Sequence, residues 1–88
     1  MYGKKDVPIS NEVRLRQLTV DEALIKLDKY LNSAFMAGLT QVKVIHGKGT
    51  GTIRQAARGY LARHPLVKSY RAGGYGEGGD GVTIVELV

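Results

Sequence analysis

The segment from Val42 to Gly51, V-K-V-I-H-G-K-G-T-G, carries the side chains best suited to chemistry. The apolar run is typical of a buried strand, and a helical pattern begins directly behind it. Glycines let a backbone approach a ligand closely, and the free N–H groups of a following helix favour an anion. His46 adds a titratable group. The predicted phosphate-binding loop consists of Gly47, Lys48, Gly49, Thr50 and Gly51.

Two familiar phosphate motifs do not fit this loop. A P-loop ends in G-K-[ST], but Gly49 follows Lys48. The dinucleotide fingerprint needs a third glycine where Thr52 stands, and an acidic residue about twenty positions further on. Lys68 to Arg71 occupies that region instead. The alternative interpretation is a glycine-rich turn that only begins a helix.

The charge distribution favours a polyanionic partner. The net charge is +5 with an isoelectric point of about 9.7, and no acidic residue lies between Asp28 and Glu77. Eight cations without nearby acids are typical of nucleic-acid binding, although ordinary solvated cations are the alternative. They are Lys29, Lys43, Lys48, Arg54, Arg58, Arg63, Lys68 and Arg71.

The composition also excludes several classes of site. The chain has no cysteine, which rules out disulfides, zinc-thiolate sites and thiol nucleophiles. No apolar run approaches the roughly 20 residues of a membrane span, and the polar N-terminus does not resemble a signal peptide. We therefore expect a cytoplasmic domain that contacts no membrane.

Hydrophobic periodicity predicts a βαβαββ order, an α/β two-layer sandwich on a mixed four-stranded sheet with two helices. Residues 1–11 are predicted to be a linker and residues 12–88 the domain. A capping box at Thr19 and Glu22 begins the first helix, which Gly38 ends. Its predicted apolar stripe is Val20, Leu24, Leu27, Leu31 and Phe35. Strand 12–18 is predicted to place Val13, Leu15 and Gln17 on one face, and strand 42–46 to be buried on both faces. The remaining predicted elements are strands 67–72 and 82–88, a helix through 53–61, and a flexible glycine loop at 73–81.

Helical crossovers make the first three strands parallel, so their carboxyl ends share one edge of the sheet. Ligands of open α/β sheets bind at that edge. We therefore expect five side chains to converge there: Arg16, His46, Lys48, Glu77 and Asp80.

The chain resembles the Smr (small MutS-related) domain over about residues 12 to 88. Three segments carry this resemblance: V-I-H-G-K-G-T-G from Val44, H-P-L-V-K-S-Y-R from His64, and G-E-G-G-D-G-V-T-I-V-E-L from Gly76. The resemblance implies DNA or RNA binding, with nicking endonuclease activity in several members and association with stalled ribosomes for longer bacterial proteins. In such proteins an ATPase region precedes the domain. ATP would therefore bind only upstream, and the full-length protein would be a homodimer with a monomeric isolated domain.

One departure from the family pattern concerns catalysis. The usual first strand, L-D-L-[RH]-G, is matched by Val13 to Gln17, so Arg14 replaces an aspartate and Gln17 a glycine. Hydrolysis of a phosphodiester needs a metal or a base to activate water. His46 is then the candidate base, with Glu77 and Asp80 as candidate ligands of Mg²⁺ or Mn²⁺, although the metal ligands remain unknown.

The further candidate nucleic-acid contacts are Arg14, Arg16, Lys43, Arg54, Arg58, Arg71 and Tyr75, the last able to stack on a base. Structural alternatives stay open. They are a histidine that hydrogen-bonds a neighbouring loop for His46, a solvated strand face for Arg14 and Arg16, solubilising charge for Glu77 and Asp80, and a surface aromatic for Tyr75. At the level of function, the alternative to a nicking enzyme is a non-catalytic module that binds ribosomal RNA.

Overall fold

The described residues, 9–88 of the computed structural model, follow the predicted βαβαββ order. The strands are β1 (Glu12–Arg14), β2 (Gln41–Ile45), β3 (Val67–Ala72) and β4 (Val82–Leu87). The helices are α1 (Val20–Met36) and α2 (Thr52–Leu61), and a short 3-10 turn at Gly79–Gly81 precedes β4. The predicted fold class, two helices on a mixed four-stranded sheet, is confirmed.

The strand order in the sheet is β1-β2-β4-β3. β1 is parallel to β2, whereas β4 is antiparallel to both of its neighbours, β2 and β3. β1, β2 and β3 therefore run in the same direction, as predicted. The last strand of the chain inserts between β2 and β3, so β2 and β4 are the two inner strands.

Both helices cover the same face of the sheet. The buried core joins Leu27 and Leu31 of α1 and Leu61 of α2 to Val44 of β2 and Val85 of β4. The prediction that strand 42–46 is buried on both faces was wrong, because its side chains alternate between this core and an open face. The strand buried along nearly its whole length is β4, from Val82 to Val85.

The first strand is shorter than the predicted span of residues 12–18. Val13 and Leu15 are buried as expected, and the Leu15 amide still donates to the Ile45 carbonyl (2.8 Å). Gln17 then adopts a left-handed φ of 66°, which is incompatible with extended pairing and turns the chain towards α1. Its side chain is exposed instead of facing the core.

The first helix has the predicted capping box. The Glu22 amide donates to the Thr19 hydroxyl (3.2 Å), and the Thr19 amide donates to the Glu22 carboxylate (2.9 Å). The buried side of α1 is Ala23, Leu27, Leu31 and Ala34, so the predicted apolar stripe is correct in its two central leucines and rotated at its ends. Phe35, predicted to be buried, is 39% exposed. No described helix is long and apolar enough to cross a bilayer.

Residues 1–8 of the predicted linker lie outside the described residues. The part that follows is in contact with the domain: the Lys43 amide donates to the Asn11 carbonyl (2.8 Å) and the Tyr30 hydroxyl to the Ser10 carbonyl (2.6 Å). The domain boundary at residue 12 stays a prediction.

Candidate nucleic-acid interface

The loop after β2 and the start of α2 enclose a cavity of about 280 Å³ at the carboxyl edge of the sheet. A neighbouring hollow of about 410 Å³ joins the same loop to the end of the glycine loop 73–81. The turn after β1, the loop after β2 and the glycine loop 73–81 therefore meet at one edge of the sheet, as the topology predicted. The first cavity is lined by Arg16, Gln17, His46, Gly47, Lys48, Gly49, Thr50, Gly51, Thr52, Ile53 and Arg54. The second adds Ile45, Gly78, Gly81 and Val82.

The N-terminus of α2 opens into this cavity without a side-chain cap. Gly51 is the N-cap with φ 86° and makes no side-chain cap hydrogen bond. The left-handed conformation requires glycine; a β-carbon there would also lie 2.8 Å from Nη2 of Arg54, whose flexible guanidinium would have to move. The first turn holds no acidic residue. The Thr52 amide makes a long contact with the Thr50 hydroxyl (3.4 Å). The other first-turn amides and the positive end of the helix dipole are available to an anion.

Three cations surround the same cavity. Lys48 is exposed, and the Arg16 side chain packs over Gly47, 3.4 Å from where a β-carbon would stand. Arg54 lies in the first turn of α2. The ion pairs among residues 9–88 join Arg14 to Glu12, His64 to Asp28 and Arg71 to Glu77. Arg16, Lys48 and Arg54 thus have no carboxylate partner within the described part of the chain.

His46 is buried, with 5% of its surface exposed. Its Nδ1 donates to the Gly47 carbonyl (2.9 Å), which leaves Nε2 to accept from the Thr83 hydroxyl (2.8 Å). Nε of Arg58 in turn donates to the Thr83 oxygen (3.0 Å). Burial lowers the pKa of His46; the Gly47 hydrogen bond opposes the shift, and the Arg58 and Arg54 charges reinforce it. The imidazole is therefore held neutral in one tautomer.

These contacts bear on the two roles considered for His46. A general base needs a free lone pair facing its substrate, whereas both ring nitrogens are engaged within the protein. The amides of His46 and Gly47 also both donate to the Gly81 carbonyl, at 3.1 and 2.9 Å. This geometry corresponds to the structural alternative, in which His46 fixes the phosphate-binding loop against the glycine loop. Its role as a base stays a prediction.

Glu77 is committed to an internal clamp. Its two carboxylate oxygens accept from Nη1 and Nη2 of Arg71 at 2.7 and 3.0 Å, and Oε1 also accepts from the Gly74 amide (2.7 Å). The Arg71 fork, followed by the Gly74 amide, lowers the pKa of Glu77 to about 2. Asp80 is exposed in the 3-10 turn.

A divalent cation does not fit these residues. Within residues 9–88 no group of three or more His, Asp or Glu side chains comes close enough to hold a metal ion. Mg²⁺ keeps several waters and can be held by one or two carboxylates, but the Glu77 oxygens already accept from Arg71 and the Gly74 amide. The candidate ligands Glu77 and Asp80 therefore do not form a site as they stand.

The other predicted contacts do not line the cavity. Strand pairing places Arg14, Lys43 and Arg71 on the open face of the sheet, where Arg14 approaches Glu12 (3.4 Å) and Arg71 holds Glu77. Arg58 is turned towards Thr83. Tyr75 is fully exposed on the glycine loop.

A comparison with known families decides the classification. The family model of the Smr domain matches residues 13–88. The chain belongs to the Smr domain family.

Named relatives agree with this assignment. The chain is 58% identical over 84 residues to Endonuclease MutS2 of Caldicellulosiruptor saccharolyticus, covering 96% of this chain and 10% of the relative. It is also 58% identical over 79 residues to Endonuclease MutS2 of Clostridium beijerinckii, covering 90% of this chain and 10% of the relative. The chain thus spans about a tenth of the length of the curated relatives it matches.

Solved structures share the architecture. The Smr domain of Thermus thermophilus MutS2 superimposes with a TM-score of 0.85 at 49% identity, covering 88% of this chain and 96% of that one. YdaL, a stand-alone small MutS-related protein from Escherichia coli, gives a TM-score of 0.84 at 26% identity, covering 91% and 66%.

Sequence reasoning missed Thr83 in this Smr domain. Thr83 is fully buried and joins Arg58 to His46. A polar residue inside the apolar run Val82 to Leu87 is the signal that could have identified it, because an alternating strand places Thr83 on the same face as Val85. Its partner could not be deduced, since the insertion of β4 beside β2 is a tertiary event.

A second polar cluster was also missed, on the helical layer. His64 Nδ1 accepts from the Leu66 amide (3.1 Å), so its Nε2 donates to Asp28 (3.1 Å), which also accepts from the Tyr60 hydroxyl (2.5 Å). The Asp28 hydrogen bond raises the pKa of Tyr60 to about 12. This cluster ties α1 to the end of α2 and takes no part in the cavity.

Proposed function

We propose that this Smr domain binds nucleic acid through the sugar–phosphate backbone. The observation that carries the proposal is the cavity in which Arg16, Lys48 and Arg54 meet the uncapped N-terminus of α2. A phosphodiester in this cavity would accept hydrogen bonds from backbone amides, from the Lys48 ammonium and from the guanidinium groups of Arg16 and Arg54. These are the groups that bind phosphate oxygens in most protein–DNA contacts.

Membership of the family supports the same function. The relatives named above are MutS2 endonucleases, proteins whose name implies action on a nucleic-acid backbone. The activity of a whole MutS2-like protein, including ATP use upstream and homodimerisation, is a proposal here, because this chain covers about a tenth of those relatives. The cytoplasmic location expected from the sequence is likewise a proposal here.

Nicking of DNA is the second candidate function, and the endonuclease name of the relatives favours it. For His46 to act as a base, the Thr83 hydroxyl must rotate away from Nε2. Any metal must then be held by ligands brought together on binding. Binding without cleavage, as in a module that docks on ribosomal RNA, is favoured by the engaged imidazole and by Arg14 in place of the usual aspartate.

The test of binding uses fluorescent 20-mers of DNA and of RNA, titrated with the domain in low and moderate salt. Lys48→Ala should weaken binding of every probe, because it removes a cavity cation. Lys29→Ala removes the same charge from an exposed site on α1 and is the matched control. Equal losses in the two variants would place binding in the general field of the molecule and not in the cavity.

The test of cleavage uses supercoiled plasmid with Mg²⁺ or Mn²⁺. Thr83→Val frees Nε2 of His46, and Arg14→Asp restores the acidic residue usual in the family. If nicking is intrinsic to the domain, either change should alter its rate, and His46→Ala should abolish it. An inactive wild-type domain that binds plasmid normally would support the non-catalytic function.

A further inference from the structure

Tyr75 is an aromatic side chain held in water on an ordered loop. The relative solvent exposure of Tyr75 is 107%, so its side chain has no close neighbours. Large aromatic rings, by contrast, usually bury most of their surface. Tyr30 and Tyr60, by contrast, hydrogen-bond to carbonyl or carboxylate oxygens. The ring of Tyr75 is thus available to a partner.

The loop that carries Tyr75 is braced on both sides. The Arg71 guanidinium donates two hydrogen bonds to the Glu77 carboxylate. This carboxylate also accepts from the Gly74 amide, and the Glu77 amide donates to the Gly74 carbonyl (2.9 Å). The Gly73 amide donates to Val82 (2.9 Å). The sequence predicted a flexible loop here, but these bonds close a tight turn around Tyr75. A braced aromatic loses less entropy on binding than a mobile one.

The loop that carries Tyr75 reaches the cavity that we propose for phosphate. Gly78 and Gly81 line its outer part together with Lys48 and Arg16. Tyr75 and Gly78 are three positions apart along the chain, so their α-carbons are at most about 11 Å apart. A nucleic-acid strand advances at least about 3.4 Å per nucleotide. A base within a few nucleotides of the bound phosphate can therefore reach the ring.

We propose that Tyr75 stacks on an unpaired base of a strand whose phosphate occupies the cavity, so that the domain prefers single-stranded nucleic acid to duplex. The proposal rests on the function proposed above and names its substrate class. A base within a duplex has both faces covered by its neighbours, whereas an unpaired base offers a face to an aromatic side chain. The cations at the cavity supply the complementary charge for the backbone.

The first experiment compares a single-stranded 20-mer with the duplex of the same sequence. Tyr75→Ala should weaken binding of the single strand about five- to hundred-fold and leave duplex binding unchanged. Lys48→Ala should weaken both. If Tyr75→Ala affects neither probe, or both equally, while Lys48→Ala weakens both, stacking is wrong and the phosphate site stands. If Lys48→Ala weakens neither, the proposed function itself fails.

A second experiment observes stacking directly. The chain contains no tryptophan, so Tyr75→Trp introduces a single indole at the tip of the loop. Its emission should be quenched by the single strand at the concentrations that give binding, and little by the duplex. Emission unchanged at saturating single strand would overturn the proposal even if affinity were retained.

The clamp gives a third readout. Glu77→Gln leaves Arg71 without its carboxylate and adds one net positive charge, which raises binding of any nucleic acid. The ratio of single-strand to duplex affinity should nevertheless fall, because Tyr75 is no longer braced. A ratio equal to that of the wild type would show that the brace does not position the ring. Thermal melting of each variant confirms that the fold is retained.

Discussion

At the scale of the residue, His46 illustrates how burial sets the behaviour of a titratable group. Burial disfavours the charged form of the imidazole, while its ring nitrogens stay hydrogen-bonded to Gly47 and Thr83. The sequence predicted its position beside the loop correctly, since a histidine at the end of an apolar strand must lie at the carboxyl edge. The hydroxyl that occupies Nε2 comes from β4, 37 residues away, and spacing could not indicate it.

The burial of His46 predicts acid sensitivity with a defined direction. Its folded-state pKa is lowered from 6.5, so the unfolded chain binds the proton first. Stability is full above the unfolded value and is lost as the pH falls below about 6.5, by at most about 1.4 kcal/mol per pH unit for one proton. Urea unfolding at pH 7.5 and 5.0 should show a larger loss for the wild type than for His46→Gln. The other titratable groups are shared, so equal losses would contradict the assignment.

Gln17 predicts a stabilising substitution. Among residues 9–88, Gln17 is the single residue other than glycine with a positive φ, at 66°. This left-handed conformation costs a residue with a side chain about 1–2 kcal/mol. Gln17→Gly relieves this cost but loses more entropy on folding, about 0.5–1 kcal/mol. We expect a net gain of about 0.5–1 kcal/mol in the free energy of unfolding. A lower melting temperature would show that the Gln17 side chain makes contacts that outweigh the strain.

At the scale of the element, the start of α2 provides the proposed phosphate site, and β4 with the turn before it provides the residues that hold the neighbouring loop in place. The sequence correctly indicated the capping box of α1, the glycine turn before α2 and the common edge of the loops, because each depends on local patterns. It did not indicate that β4 lies between β2 and β3, or that Gly81 would accept both loop amides. Pairing between distant strands depends on the packing of the whole sheet.

Two glycines of this region should respond in opposite ways to the same substitution. Gly51→Ala forces a β-carbon into a left-handed residue and towards Arg54, so both stability and nucleic-acid affinity should fall. Gly59 lies within α2 with open space around its α-carbon. Gly59→Ala should therefore stabilise the domain by about 0.5–1 kcal/mol and leave affinity unchanged. Equal effects of the two variants on melting temperature would refute the conformational argument for Gly51.

At the scale of the whole molecule, the acids and bases are distributed unequally between the faces. On the open face of the sheet, Glu12 and Glu77 neutralise Arg14 and Arg71. Around the cavity the cations have no such partners among residues 9–88. The sequence predicted a basic surface from the long stretch without acids, but it placed Arg14, Arg58 and Arg71 among the contacts. Internal pairing of those three depends on side-chain neighbours that only the fold defines.

This distribution predicts how affinity should depend on salt. Each cation that contacts a phosphate releases counterions, which steepens the fall of log K with log salt concentration. Lys48→Ala should reduce that slope by about 0.7 for a single strand, because Lys48 is exposed at the cavity and has no carboxylate partner in the described chain. Arg58→Gln should leave the slope almost unchanged, since its guanidinium donates to the Thr83 hydroxyl.

The measurement is a titration of one labelled single strand at four salt concentrations with both variants, after melting curves have established that each is folded. A slope reduced equally by the two substitutions would mean that Arg58 leaves Thr83 to contact the strand.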